Sequence, residues 1–207
     1  MVQKVSLKHT LQQLYANCAG VRLTNNAIGD LDEASIVSAL VDPDQSASAS
    51  RVLATLRFVE QQIKSIEHQV LGRMQDQSPY RELTSVPGIG VVLGLTIALE
   101  TGPIARFASA GQYASYCRCV PTAYWSNAKQ KGRGNVRNGN KYLSWAFAEA
   151  ANFCIRYCPE AKATYQRLAA RTSKPSAYRA MANKLAKASY FIMRDQSVFD
   201  VTRLFSG

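Results

Sequence analysis

Six apolar residues, Val52, Leu56, Val59, Ile63, Ile66 and Val70, recur at intervals of 4-3-4-3-4. The mean period is 3.5 rather than 3.6, and over roughly three heptads it draws one stripe along a helix that needs a helical partner. Leu53, Leu71 and Met74 widen the stripe, while Arg57, Glu60, Gln61, Gln62, Lys64 and Glu67 fall between, suited to solvent. The cover is either the first helix or another subunit. The excess of apolar surface favours self-association, so residues 1–78 are expected to form a coiled-coil oligomerisation region.

The rest of the chain is also punctuated for helices. Leu7, Leu11, Leu14 and Cys18 mark a first helix, and Asp32 is placed to cap a short one, EASIVSALV, ending before Pro43. The small polar run Ser46 to Ser50 is expected to cap the long stripe-bearing helix. A short helix near Tyr80 to Ser85 then meets Pro87-Gly88-Ile89-Gly90, followed by an apolar helix, Val91 to Glu100. This is the helix-hairpin-helix pattern, whose amides and following N-terminus suit a phosphate, with Gly88 and Gly90 as contacts. A purely structural helical hairpin is the other reading.

Further on, Ser109 caps AGQYASYCRC, with Tyr113, Tyr116 and Cys117 inward. Leu143, Phe147, Ala150, Cys154 and Tyr157 form the core face of a helix after Asn140. Pro159 opens the next helix, EAKATYQRLAAR. Ser173 and Pro175 open the last long one, expected to bury Tyr178, Met181, Leu185, Ala188 and Ile192. Strand signals are weak throughout. The expected fold is all-α, with N-terminal coiled-coil helices in 1–78 and a helical domain containing the helix-hairpin-helix motif in 79–207.

Charge separates the two parts. Residues 1–76 carry seven Lys/Arg against eight Asp/Glu, whereas the remainder carries eighteen against six. That asymmetry points to a polyanionic partner for the C-terminal part. Its densest stretch is Ser126 to Tyr142, SNAKQKGRGNVRNGNKY, and from Thr101 to Ala148 there is no Asp or Glu. Lys129, Lys131, Arg133, Arg137 and Lys141, interleaved with Asn127, Asn135, Asn138, Asn140 and glycines, compose a loop suited to gripping phosphate. A solvated surface loop is the bland alternative. No apolar run is long enough to span a membrane and the N-terminus lacks a signal peptide's apolar core, so a cytoplasmic protein is expected.

Few residues here are equipped for chemistry. The two histidines, His9 and His68, lie far in sequence from the basic loop, and the C-terminal acids are dispersed without a metal-binding pattern. A zinc site from Cys117, Cys119, Cys154 and Cys158 lacks the usual spacing, and small buried thiols fit better. What remains is a serine among cations: Ser126 as a nucleophile toward a phosphodiester, or as a capping or hydrogen-bonding loop residue. Ser144 is the alternative nucleophile, inside a helical pattern where a hydroxyl bonds locally.

Several blocks in order, SVPGIGVVLGLTIALETG, RFASAGQYASYCRCVP, SN…KGRGN…NGNKYLSWAFAEAANF and ANKLAKASYFIMRDQ…FD, carry a resemblance from Leu83 to about Phe205. They resemble the C-terminal transposase domain of bacterial insertion-sequence transposases of the one-ten / eleven-eleven type. These are RNA-guided recombinases related to the pilin-gene invertase. Weaker similarity runs back through the coiled-coil helices.

The resemblance implies DNA strand exchange by serine attack with a covalent phosphoserine link, and Ser126 holds the family's serine position. Asn127 follows where many members carry glycine, and the basic loop with NGNKYL matches the DNA-contacting block. Family members begin with a ribonuclease-H-like domain bearing four metal-binding acids, which also helps hold a guide RNA. Asp30, Asp32, Asp42 and Asp44 lie here without the strand pattern of such a domain. The chain is therefore expected to be a fragment, natural or engineered, with DNA and guide RNA as partners and a homo-oligomeric state. Magnesium is expected only with the acidic domain, and this chain alone is expected to show little strand transfer. The competing function is a non-enzymatic DNA- or RNA-binding oligomer.

Overall fold

The computed structural model describes residues 2–120, 123–126, 129–133 and 138–205. They fall into two units, Met1–Gln69 and Val70–Gly207. Helices dominate both, as an all-α fold requires. Among the described residues none of them is long and apolar enough to cross a membrane.

The first unit is built from α1 (Val2–Cys18), α2 (Asn25–Asp30), α3 (Glu33–Ala39) and most of α4 (Pro43–Met74). Short polar side chains start its helices. Thr24 accepts from the Ala27 amide at 3.2 Å and Asp32 from the Ser35 amide at 2.8 Å. The start of α4 differs from the sequence expectation. It begins at Pro43, not after Ser50, because Asp42 caps it by accepting from the Asp44 and Gln45 amides at 2.8 and 3.3 Å. Proline at the first helical position loses no bond there.

Leu11 and Ile36 are wholly buried with Leu40, Leu53 and Leu56, and Leu7, Leu14 and Val52 pack around them. The early part of the α4 stripe is thus covered within its own unit, whereas Phe58 and Ile66 remain 60% and 59% exposed. Lys4 reaches Glu60 at 2.8 Å, which sets the start of α1 beside the middle of α4.

The second unit contains α5 (Tyr80–Leu83), α6 (Val91–Thr101), a single 3-10 turn (Ile104–Arg106), α7 (Ala110–Tyr116), β1 (Ala123–Ser126), β2 (Lys129–Arg133), α8 (Lys141–Tyr157), α9 (Pro159–Arg171), α10 (Lys174–Asp195) and α11 (Val201–Phe205). Ser109 and Ser173 cap α7 and α10, accepting from Gln112 and Ser176. At the centre Tyr113 is fully buried, its hydroxyl 2.8 Å from that of Thr101. Its ring meets Phe107 and Phe147 edge-on at centroid distances of 5.1 and 6.1 Å.

On α8, Leu143, Phe147, Ala150 and Cys154 are completely buried, but Tyr157 is 67% exposed. Cys158, four residues after Cys154, is buried in its place. Cys158 is the residue after the helix, with φ −116 and ψ 114, so the chain has already left the helical path there. On α10, Met181, Leu185 and Ile192 are buried, while Tyr178 and Ala188 are half-buried.

Four of the five cysteines are buried and all are free thiols. Burial pushes the thiols of Cys119 and Cys154 up to about 12, far from a reactive thiolate.

Candidate nucleic-acid interface

The basic stretch is a hairpin rather than a plain loop. β1 and β2 pair antiparallel, with Ala123 opposite Arg133, Tyr124 opposite Gly132, Trp125 opposite Gln130 and Ser126 opposite Lys129. Between Tyr124 and Trp125 the register shifts, leaving Lys131 as the extra residue of a bulge. The backbone therefore puts Ser126 and Lys129 at the closing pair. Asn127 and Arg137 lie outside the described residues.

The base of the hairpin is fastened to the second unit by contacts between residues distant in sequence. Arg118 donates to the Gly139 carbonyl from Nε at 3.2 Å and from Nη2 at 2.8 Å. Asn140 donates its backbone amide to the Tyr116 carbonyl at 2.7 Å. Gly139 has φ +92, and a Cβ there would strike the Tyr116 carbonyl oxygen, so both the turn and the close approach require glycine.

Asn140 then starts α8. Its Oδ1 accepts from the Tyr142 and Leu143 amides at 2.8 and 3.1 Å, and its Nδ2 donates to Glu100 at 2.6 Å. Asn140, followed by Arg106, holds the Tyr116 phenol below its ordinary value. The Arg106 guanidinium also lies over the rings of Phe107 and Tyr116, at 4.6 and 4.8 Å. Of the residues expected to contact DNA, Asn140 thus has its side chain committed to a cap and to Glu100. Asn138 and Lys141 are exposed beside it.

Aromatic surface adjoins this base. Tyr142 and Trp145 are 52% and 40% exposed on the first turns of α8, and the Lys141 ammonium sits 4.9 Å from the Tyr142 ring centre. Cations beside open aromatic faces are what stacking of unpaired bases uses.

The glycines of the PGIG segment lie elsewhere. Gly88, with φ +93, is seated against α8, where a Cβ would come within 2.6 Å of the Ala150 oxygen and the Cys154 nitrogen. Gly90 is exposed at the cap of α6. Because Glu100, near the other end of α6, meets Asn140, about 15 Å of helix separates Gly90 from the hairpin base. The structure therefore brings Ser126, Lys129, Lys131 and Arg133 onto one hairpin, with Asn138, Asn140 and Lys141 at its base. Gly88 and Gly90 form a separate place.

Sequence reasoning missed Glu100, Arg106, Tyr116 and Arg118, the residues that hold the base, as well as Tyr142 and Trp145. The one available signal was the position of Glu100, the last acid before the acid-free run. Among the described residues no three His, Cys, Asp or Glu side chains converge to hold a metal.

The amino-acid sequence is similar to known proteins. Residues 80–166, which include the hairpin, match the sequence model of the family described as Transposase IS116/IS110/IS902 family. A Streptomyces coelicolor protein named "Insertion element IS110 uncharacterized 43.6 kDa protein" is 26% identical over 86% of this chain. A Yersinia enterocolitica protein named "Transposase for insertion sequence element IS1328" is 24% identical over 69% of it. The matched region covers 44% of each of these relatives, so the chain spans less than half of their length. Residues 80–166, then, are similar to the IS116/IS110/IS902 transposase family, and the chain as a whole is similar to less than half of each of these insertion-element proteins.

Proposed function

We propose that this chain is a DNA-gripping module of insertion-sequence transposition in which Ser126 is the nucleophile. The observation that carries the reading is the register that closes an acid-free, basic hairpin with Ser126 opposite Lys129, inside the family-matched region. Oγ of Ser126 bonds to phosphorus, its proton passes to a base, and the bond to the departing deoxyribose oxygen breaks, that oxygen taking up a proton. Lys129, Lys131, Arg133, Arg137 and Lys141 offset the negative charge that grows on the phosphoryl oxygens. Asn127 and Asn138 add neutral donors, and Gly90 with the α6 N-terminus offers a second backbone contact some distance away. Among the described residues no three His, Cys, Asp or Glu side chains converge to hold a metal. The acids and guide RNA implied by the family resemblance belong to other parts of the assembly.

Binding is expected to be mainly electrostatic. If about five phosphates are neutralised, log K against log salt slopes near −4.5. Binding indifferent to salt rules this out. This chain alone is expected to bind without strand transfer, and covalent adduct is expected once an acidic domain, guide RNA and magnesium are supplied. Ser126→Ala then abolishes the adduct and leaves DNA affinity nearly unchanged. An undiminished adduct removes Ser126 from the mechanism.

The second reading, a binding oligomer without chemistry, draws on Phe58 and Ile66, left exposed on α4. It predicts a dimer or higher species at tens of micromolar, and no adduct under any supplementation.

A further inference from the structure

The exposed face of α8 continues past the hairpin base to the far end of the helix. Tyr142 and Trp145 lie open on its first turns, and Phe153 and Tyr157, 38% and 67% exposed, on its last. With 3.6 residues per turn the four side chains fall within an arc of about 120°, along about 22 Å of helix. Single apolar residues on a surface are ordinary, but four rings on one arc of one helix make a patch that marks an interaction site. Phe153 and Tyr157 are parallel to within 8°, their centres 6.3 Å apart. Parallel planes share one normal, so a flat group stacked on one ring is aligned with the other.

The charges around the rings choose the occupant. The Lys141 ammonium lies 4.9 Å from the Tyr142 ring centre and the Arg156 guanidinium 5.4 Å from that of Tyr157. Each end of the face thus carries a ring with a cation against it. The one acid of α8, Glu149, is half-buried. Burial first and this carboxylate second raise the Tyr178 phenol above its ordinary value, which puts Glu149 toward α10. The apolar core of a protein partner would have to desolvate both cations. A single nucleic-acid strand instead sets its bases on the rings and its phosphates on the cations. The face is also continuous with the basic surface, since Asn140 at the hairpin base is the cap of α8.

We propose that this face of α8 is a stacking platform for the unpaired bases of a single nucleic-acid strand, with Phe153 and Tyr157 as its far end and Lys141 and Arg156 on the flanking phosphates. The choice of nucleic acid rests on the function proposed above, while the role of Ser126 does not enter. A duplex keeps its base faces inside its own stack, so the platform distinguishes open strands from paired ones rather than one sequence from another.

The test uses the full chain, a thymidine oligonucleotide, an abasic oligonucleotide of the same length and phosphate count, and a duplex. The variants are Phe153→Leu/Tyr157→Leu, Tyr157→Leu alone and Arg156→Gln. Leucine keeps apolar bulk and gives up the flat face, and the single variant keeps the test usable if the double variant misfolds. The wild type is expected to bind the intact strand roughly tenfold more tightly than the abasic one. The double variant is expected to lose most of that margin with its salt slope and duplex affinity unchanged, and Tyr157→Leu to fall between. Arg156→Gln is expected to weaken both strands alike and make the slope shallower by about 0.7. Running a ribose strand in parallel assigns the source, since the strand with the larger ring-dependent loss is the one the platform serves. Equal binding of intact and abasic strands by the wild type overturns the platform and leaves the electrostatic grip standing. A margin unchanged in both leucine variants overturns it as well, and a shift in their sedimentation would then make the face a protein contact. A wild type that binds neither strand nor duplex defeats the DNA-gripping function and the platform together.

Discussion

The two units use apolar residues to different ends. In residues 1–69 ten buried side chains form the core. A unit of that size is marginal by surface-to-volume scaling, and it leaves Phe58 and Ile66 in solvent. In the second unit, 70–207, twenty-eight of the described residues, Tyr113 and Phe147 among them, form the buried core. It can therefore anchor a like-charged hairpin. Electrostatic work is done where packing is deep, and the thinly packed unit carries the near-neutral sequence.

The strongest way to break this contrast is to injure each core in turn. Tyr113→Ala removes three aromatic contacts and strands the Thr101 hydroxyl, at an expected cost of ~3–5 kcal/mol. Leu56→Ala in the first core is expected to cost ~2–4 kcal/mol, enough to unfold a marginal unit. Residue-resolved hydrogen exchange reads both. Leu56→Ala should release amides of residues 2–69 and spare Tyr113 and Phe147, and a uniform loss across the chain would make the two units one cooperative body.

A smaller effect sharpens the contrast at the hairpin base. Asn140→Ala deletes the α8 cap and the bond to Glu100, at a cost of ~1–2 kcal/mol. Oligonucleotide affinity should fall with it, because the hairpin loses its alignment, while circular dichroism stays close to wild type. Affinity unchanged in a folded Asn140→Ala chain would mean that the base does not position the cations.

The smallest effect concerns pH in the first unit. The Lys4 hydrogen bond holds the Glu60 carboxyl below its ordinary 4.5. A depressed carboxyl stabilises the fold fully above its unfolded value, and that contribution is lost as pH falls through the lower folded value. Screening keeps it to ~0.2–1 kcal/mol, since both side chains are about one-third exposed. Denaturant midpoints measured from neutral pH down to about 3 should drift more for wild type than for Glu60→Gln. Identical drift would show that the pair contributes nothing.

What could be read from the sequence was local. Asp32, Ser109 and Ser173 announce their helices because a capping side chain and the amides it meets lie within three residues. The core face of α8 was legible through Cys154 because periodicity needs no partner, and it failed at Tyr157, where the helix ends. α4 was read as starting too late because the Ser46–Ser50 run masked Asp42 as the cap. The hairpin escaped because its strands are only four and five residues long, the second of them Lys-rich, and pairing is fixed by register rather than by composition. Its base joins Glu100, Tyr116, Arg118 and Asn140, contacts 21 to 40 residues apart such as Arg118 to Gly139 and Asn140 to Glu100. No window of neighbouring residues contains that information.

Arg118 and Gly139 meet at the two ends of the basic segment. Everything between them is a closed excursion whose ends are already joined. Closure entropy grows only with the logarithm of loop length, so doubling such an excursion costs about 0.6 kcal/mol. The segment behaves as an exchangeable cassette. Its charges and its serine can be rewritten, lengthened or shortened by evolution or by design, provided that the glycine and the arginine at its mouth are kept together with Cys119, which is buried and whose carbonyl accepts from Asn183 on α10.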